Sequence, residues 1–159
     1  MRKTILALAV AALCAMPTHA QKVYNEIMRL SKAGAADQNK TLDTRRIYQF
    51  KVDELNYMLM KTRELMPDSS MYMVDQQAYA MYEYVNLYVN TLSKSAKRKE
   101  RDAVEELFKR ASIANPRFRD TDTDLTLAYY RRDDYVIQFS LDTDWLKALE
   151  QVRKELAKE

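Results

Sequence analysis

Seven polar or aromatic side chains between residues 72 and 90 recur at the spacing of one helical face, and they are the best candidates in this sequence for contacting a ligand. They are Tyr72, Asp75, Gln76, Tyr79, Glu83, Asn86 and Asn90, here called the polar stripe. Carboxylate and amide groups beside aromatic rings can bind a sugar, a peptide or a cationic group. We therefore predict that the polar stripe lines a ligand groove. The alternatives are a solvent-exposed helix face or a buried face whose polar groups are paired.

Catalysis by a serine or cysteine nucleophile has little support in this sequence. The only cysteine and the only histidine, Cys14 and His19, lie in an N-terminal segment that we expect to be removed. The remaining chain then has neither the base of a Ser-His pair nor the thiol of a Cys-His pair, and it lacks the residues that most often bind zinc. We predict no catalytic residues, no cofactor and no metal site.

Asp120, Asp122 and Asp124 reproduce the opening of an EF-hand calcium loop, in which alternate oxygens converge on the ion. The sixth position of such a loop would be Leu125, where the turn needs glycine. The twelfth would be Arg131, where a bidentate glutamate normally binds. This spacing therefore favours an acidic loop over a calcium site.

The first twenty residues have the three parts of a secretory signal peptide. Arg2 and Lys3 form a basic start, residues 4–15 form an apolar run too short to span a bilayer, and residues 18–20 form a cleavage site of small residues. We expect the mature chain to begin at Gln21, to be exported to the periplasm or secreted, and to have no stable membrane span. Lipidation of Cys14 is the alternative, which the bulky Leu13 before it disfavours.

The composition after cleavage is that of one domain with almost no net charge. Removing residues 1–20 from 159 leaves residues 21–159, enough for a single core. Of the 26 basic residues, Arg2 and Lys3 are lost, which leaves 24 against 23 acidic residues. The densest basic run is followed by acidic residues at helical pairing distance, so we expect no nucleic-acid partner. This run consists of Lys94, Lys97, Arg98, Lys99 and Arg101.

Apolar residues at helical spacing predict four helices before residue 115. They cover residues 22 to about 33, a second helix from a cap at Thr41 or Asp43 to residue 66, a third from a cap at Asp68 or Ser69 to about residue 92, and a fourth over 94–114. Phe50 and Tyr57, on the far side of the second helix, predict a second contact for it. The third helix is apolar on two nearly opposite faces, which predicts a central position.

The apolar period changes from helical to alternating after residue 115. The alternating positions are Leu125, Leu127 and Tyr129, then Tyr135, Ile137, Phe139 and Leu141. This pattern predicts two antiparallel strands joined by a three-residue loop at 132–134 or by a five-residue loop. A last helix, capped by Asp142 or Thr143 and carrying Trp145, should cover the hairpin. The expected fold is thus mainly α (α+β), with a four-helix N-terminal array, a C-terminal β-hairpin and a final helix.

Two segments, IYQFKVDELNYMLMKTRELMPDSS and DQQAYAMYEYVNLYV, together with the signal sequence ending at Ala20, resemble small secreted helical proteins of gut-type bacteria that carry no assigned activity. The resemblance covers most of the mature chain. It implies export and a helical domain, and it implies no functional residues.

These observations favour an exported helical protein of the envelope or periplasm that binds a protein, peptide or sugar. One alternative is an enzyme that uses tyrosine and carboxylate groups with a divalent metal. Others are a tetratricopeptide-like scaffold, suggested by residues 101–116, and a structural envelope component. Catalysis would require carboxylates with raised pKa values in a closed pocket, whereas a binding protein needs only an open groove lined by aromatic residues.

Overall fold

The computed structural model describes residues 22–158, and within that range the chain forms six helices. They are α1 (Lys22–Ala36), α2 (Leu42–Leu65), α3 (Met71–Lys94), α4 (Arg98–Ala114), α5 (Thr123–Thr126) and α6 (Trp145–Leu156). The predicted signal peptide, residues 1–20, lies outside the described residues, and so does Gln21. Across residues 22–158, none of the helices has the length and apolarity that crossing a membrane requires.

The long helices predicted from periodicity are present, and polar side chains cap several of their N-termini. Thr41 Oγ1 accepts a hydrogen bond from the backbone N–H of Thr44 at 3.2 Å, which confirms Thr41 as the cap of α2. Ser70 caps α3 and Asp144 caps α6, each one residue beyond the predicted candidates. Such bonds satisfy N–H groups that have no partner within the helix.

Helix α3 is the central element of the fold, as its two apolar faces predict. It packs against α1, α2, α4 and α6. One face buries Ala78, Met81 and Val85, and the opposite face buries Tyr84. The helices α1 and α2 therefore form one group against α3, and α4 and α6 form a second group against it.

An aromatic cluster fills the core between α2, α3 and α6. Its members are Phe50, Tyr84, Phe139 and Trp145, here called the aromatic core, and none is more than 1% exposed. The ring of Trp145 meets those of Tyr84 and Phe50 edge to face, with centroids 5.2 Å and 6.1 Å apart. Phe50 makes the contact that its position on the far side of α2 predicts. Edge-to-face packing of buried rings adds to the stability that burial of their area already gives.

The predicted C-terminal β-hairpin is wrong, because residues 22–158 contain no strand and the fold is mainly α. The first half of the predicted hairpin forms α5 and the turns after it. Asp122 accepts a hydrogen bond from Leu125 N at 3.1 Å, and Leu127 N donates to Thr123 O at 3.1 Å. Leu125 and Tyr129 alternate with other residues, but they are also four residues apart. One face of a helical turn satisfies that spacing as well as a strand does.

The second half of the predicted hairpin, residues 135–141, forms neither a strand nor a helix. Its buried apolar side chains are Ile137, Phe139 and Leu141, the alternating set seen in the sequence. Helix side chains, not a neighbouring strand, satisfy part of its backbone. Ser112 Oγ accepts from Ser140 N at 2.9 Å, and Tyr88 donates from its hydroxyl to Val136 O at 2.6 Å. The alternation therefore identified the buried side of this segment but not its bonding partner.

Candidate functional site

The polar stripe runs along α3, and three of its members connect α3 to other helices. Asp75 is buried, and its Oδ1 accepts a hydrogen bond from the backbone N–H of Tyr24 at 3.0 Å. This carboxylate therefore caps the first turn of α1. Glu83 lies 3.4 Å from the guanidinium of Arg153 on α6. Asn86 faces α2. These three residues hold helices together.

The other four members of the polar stripe are exposed. Tyr72 is 57% exposed and Tyr79 is 54% exposed. Gln76 donates from Nε2 to the hydroxyl of Tyr72 at 2.8 Å, and Asn90 lies on the surface one turn beyond Asn86. The structure thus divides the stripe between packing contacts and open surface. Ligand binding by its exposed residues stays a prediction.

A cavity of about 360 Å³ lies between α1, the loop after α1, α2 and α3. Its polar and aromatic lining consists of Ser31, Asp37, Lys40, Tyr48, Lys51, Tyr82 and Asn86. We call it the Lys51 cavity. Lys51 is only 3% exposed, whereas Asp37 and Lys40 form a partly exposed ion pair of 3.3 Å. Lys51 is therefore the buried charge of the cavity.

The ammonium group of Lys51 is held by one amide and two aromatic rings. Its Nζ donates to Asn86 Oδ1 at 3.0 Å and lies 4.5 Å from the ring centroid of Tyr82 and 5.3 Å from that of Tyr48. Aromatic faces attract a cation. No carboxylate within residues 22–158 forms an ion pair with Lys51. Because an ammonium has three N–H donors, it can donate further hydrogen bonds to a ligand in the cavity.

Burial lowers the pKa of Lys51 from 10.5 to about 8. The physical cause is desolvation, which disfavours the charged form of a lysine. The neutral amide of Asn86 and the two rings offset this cost less fully than a carboxylate would. The cavity therefore contains a buried cation without a counter-ion among the described residues, and that arrangement suits an anionic group.

Gly34, the only glycine of the chain, shapes the wall of the Lys51 cavity. A Cβ atom at this position would lie 2.5 Å from two ring carbons of Tyr48, well inside van der Waals contact. The Tyr48 ring therefore lies directly against the backbone of α1. Glycine inside a helix costs about 1 kcal/mol relative to alanine, and the close approach of Tyr48 accounts for its presence.

Replacing Gly34 with alanine should lower the free energy of unfolding by about 1–3 kcal/mol, because the new methyl group overlaps the Tyr48 ring. Urea denaturation followed by circular dichroism measures this change. In a Tyr48→Ala background the ring is absent, and Gly34→Ala should then stabilise the protein through its better helix propensity. Equal effects of Gly34→Ala in the two backgrounds would contradict the proposed contact.

A second polar cluster is enclosed in the core around Glu54, which is 1% exposed. Glu54 Oε1 accepts a hydrogen bond from Trp145 Nε1 at 2.7 Å, while Oε2 has no partner among the described residues. Burial raises the pKa of Glu54 well above its usual range, and the nearby charge of Asp142 adds to that rise. A raised pKa is typical of a catalytic carboxylate, but a substrate needs access to the group. Glu54 instead ties α2 to α6.

Asp142 organises the loop between α4 and α5. Its Oδ1 accepts hydrogen bonds from the backbone N–H groups of Arg117 at 3.0 Å and Phe118 at 2.7 Å, and its Oδ2 accepts one from Asp120 at 2.9 Å. These three backbone bonds use most of the acceptor sites of the carboxylate. Asp142 therefore acts as a structural anchor for this loop.

The three aspartates that resemble an EF-hand opening contact different partners. Asp120 pairs with Lys61 at 2.9 Å, Asp122 caps α5, and Asp124 pairs with Arg131 at 2.9 Å. In the part of the chain that the structure describes, no three or more histidine, cysteine, aspartate or glutamate residues are grouped so that they could hold a metal ion. The carboxylate oxygens of Asp120, Asp122 and Asp124 therefore do not converge on one point.

No protein-family model matches this chain, and no curated protein or solved structure is significantly similar to it. Function must therefore be inferred from the geometry of the site itself.

Asn86 belongs both to the predicted polar stripe and to the Lys51 cavity, whereas the sequence patterns did not predict Tyr48, Lys51 and Tyr82 as site residues. A signal for Lys51 exists in the sequence. It lies four residues after Ile47 and seven before Met58, so a charge interrupts an apolar helical face.

Proposed function

We propose that this chain is an exported binding protein whose ligand carries a carboxylate group that pairs with Lys51. The observation that supports the proposal is a buried ammonium, without a carboxylate partner in residues 22–158, on the wall of an open cavity. A ligand carboxylate would supply the missing counter-ion and would use the free N–H donors of Lys51. Export is supported by the signal-peptide pattern of residues 1–20.

The rest of the cavity suits a ligand larger than the carboxylate itself. Its volume of about 360 Å³ is within the range of small-molecule sites. Tyr48 and Tyr82 supply flat apolar walls, and the Asn86 side chain keeps its two N–H donors for a ligand while its oxygen accepts from Lys51. Asp37 and Lys40 neutralise each other at 3.3 Å. A sugar acid or the C-terminus of a peptide combines the groups that these side chains can bind.

Titration of the protein with acetate, glucuronate and a dipeptide, each compared with its own amide, should separate the contribution of the ligand's charge to binding from that of its shape. We expect the carboxylates to bind and to shift the NMR signals of Tyr48, Tyr82 and Asn86, and the amides to bind at least about tenfold more weakly, since a buried ion pair is lost. Replacing Lys51 with methionine should weaken binding of the carboxylates by at least about tenfold. Lys99→Met removes an exposed charge and should leave binding unchanged.

The methionine variant is informative because it should remain folded. Replacing an unpaired buried ammonium by an apolar chain of similar length leaves stability unchanged or raises it near neutral pH. Affinity should also fall by up to about tenfold per pH unit above the Lys51 pKa of about 8, where the free protein loses the cation. If the amides bind as well as the acids, or if Lys51→Met binds normally, the proposal is wrong and the exposed part of the polar stripe becomes the next candidate.

A further inference from the structure

The amine of Lys51 has the surroundings of a nucleophile as well as those of an anion site. Its Nζ makes one side-chain hydrogen bond, to Asn86 Oδ1, and a carboxylate that would hold the proton on nitrogen is not among its described partners. The other charged groups of the cavity, Asp37 and Lys40, pair with each other. The remaining neighbours that titrate are the phenols of Tyr48 and Tyr82, whose rings face the amine.

Desolvation of this kind is how proteins activate lysine. An amine that is removed from water loses its proton more readily, and the free amine is the form that attacks carbonyl groups. The pKa of about 8 leaves about one tenth of Lys51 unprotonated near pH 7. An exposed lysine with a pKa of about 10.4 is unprotonated to less than about one part in a thousand at that pH.

We infer that Lys51 forms an imine with a ligand that carries an aldehyde or ketone next to its carboxylate. This inference rests on the proposed function, because it places the ligand in the Lys51 cavity. The ligand carboxylate enters the cavity by pairing with the protonated amine. The ammonium then releases one proton to water, and the free amine lies next to the neighbouring carbonyl carbon. The class of ligand is therefore a 2-oxo acid or an aldehyde acid.

The reaction needs only the amine and the carbonyl. The nitrogen lone pair attacks the carbonyl carbon, a C–N bond forms, and one N–H proton moves to the carbonyl oxygen. The resulting carbinolamine loses its hydroxyl group as water together with the second N–H proton, and the C=N bond forms. Amine and carbonyl thus give imine and water, with no oxidant or reductant. When the imine is protonated, the positive nitrogen stays beside the ligand carboxylate.

Reductive trapping with glyoxylate tests this inference on the full chain. Sodium cyanoborohydride delivers hydride to the imine carbon and converts the adduct into a stable secondary amine, which peptide mass spectrometry can locate. Near pH 7 we expect Lys51 to be labelled at least about tenfold faster than the exposed Lys99, since it has far more free amine. Lys51→Arg keeps the cation and cannot form an imine, so labelling at this position should vanish.

Glycolate is the matched probe, because it has the carboxylate of glyoxylate but no carbonyl. It should bind the wild-type protein and should slow the labelling of Lys51, a comparison that needs no variant. If glycolate binds but Lys51 reacts no faster than Lys99, the imine inference is wrong and the proposed function stands. If Lys51 reacts rapidly and glycolate neither binds nor competes, the reactive amine stands and carboxylate recognition is wrong.

Discussion

Replacing Trp145 with alanine should lower the free energy of unfolding by about 3–5 kcal/mol, the cost of removing a large buried aromatic side chain. Trp145 is fully buried and contacts Phe50, Tyr84 and Phe139 in the aromatic core. Its Nε1 is also the hydrogen-bond donor of Glu54, at 2.7 Å. Because domains are stable by only about 5–15 kcal/mol, this loss should move urea denaturation to a much lower concentration.

Trp145→Phe separates packing from hydrogen bonding. Phenylalanine keeps most of the aromatic contact but leaves Glu54 Oε1 without its donor, which should cost about 1–3 kcal/mol. Denaturation of both variants, followed by circular dichroism at one pH, gives the comparison. If the alanine and phenylalanine variants are equally stable, the packing of Trp145 in the aromatic core contributes nothing, and the assigned position of α6 would be wrong.

The long helices could be predicted because their pattern is local and repeated. A face of apolar residues every three or four positions persists over several turns in α2 and α3, and few other structures satisfy it. The two opposite apolar faces of α3 also predicted its contacts on both sides. Cap positions depend on one or two residues, so they were correct for Thr41 and shifted by one residue at Ser70 and Asp144.

The region between α4 and α6 could not be predicted because its partners are distant in the sequence. Alternation at residues 135–141 shows only which side is buried. Whether that backbone bonds to a strand or to side chains depends on Tyr88 and Ser112, which lie on α3 and α4. The first and third of three alternating residues also share one face of a helical turn, as Leu125 and Tyr129 do. Tertiary contacts decided both cases.

The site was only partly predictable for a similar reason. Spacing places the polar stripe on one face of α3, but it cannot show which members meet another helix. Asp75 is used to cap α1, and Asn86 is used to hold Lys51. The cavity depends on Gly34 meeting Tyr48, a contact between two helices that no single-helix pattern contains. Sequence alone thus identified a polar face and missed the buried charge beside it.

Helix α2 contains two buried ionisable residues with opposite responses to pH. Lys51 and Glu54 are 3% and 1% exposed, and burial shifts both pKa values toward the neutral form. No ion pair joins them among the described residues, since Glu54 bonds to Trp145 and Lys51 bonds to Asn86. Neither residue therefore neutralises the other. The free energy of unfolding should depend on pH with one contribution from Glu54 and a separate one from Lys51.

Stability should fall as pH rises from about 5, because Glu54 keeps its proton in the folded state at pH values where the unfolded chain has lost it. The folded state then binds more protons than the unfolded state, and the loss approaches about 1.4 kcal/mol per pH unit until the folded pKa is reached. Glu54→Gln still accepts the Trp145 hydrogen bond but cannot ionise. This variant should match the wild type at about pH 5 and should be more stable than it at about pH 7.

Above pH 8 Lys51 should act on stability in the direction opposite to Glu54. Its folded pKa of about 8 is below the ordinary 10.5, so in this interval the contribution of Lys51 to stability rises with pH, and the difference between the wild type and Lys51→Met isolates it from the buried tyrosines. Urea denaturation at a series of pH values up to about 10 should therefore show Glu54→Gln removing the acid-side decline and Lys51→Met removing the alkaline-side contribution. If each variant removes only its own part of the pH dependence of stability, Glu54 and Lys51 act separately. If Lys51→Met also removed the decline, the two residues would be coupled, and the absence of an ion pair between them would be wrong.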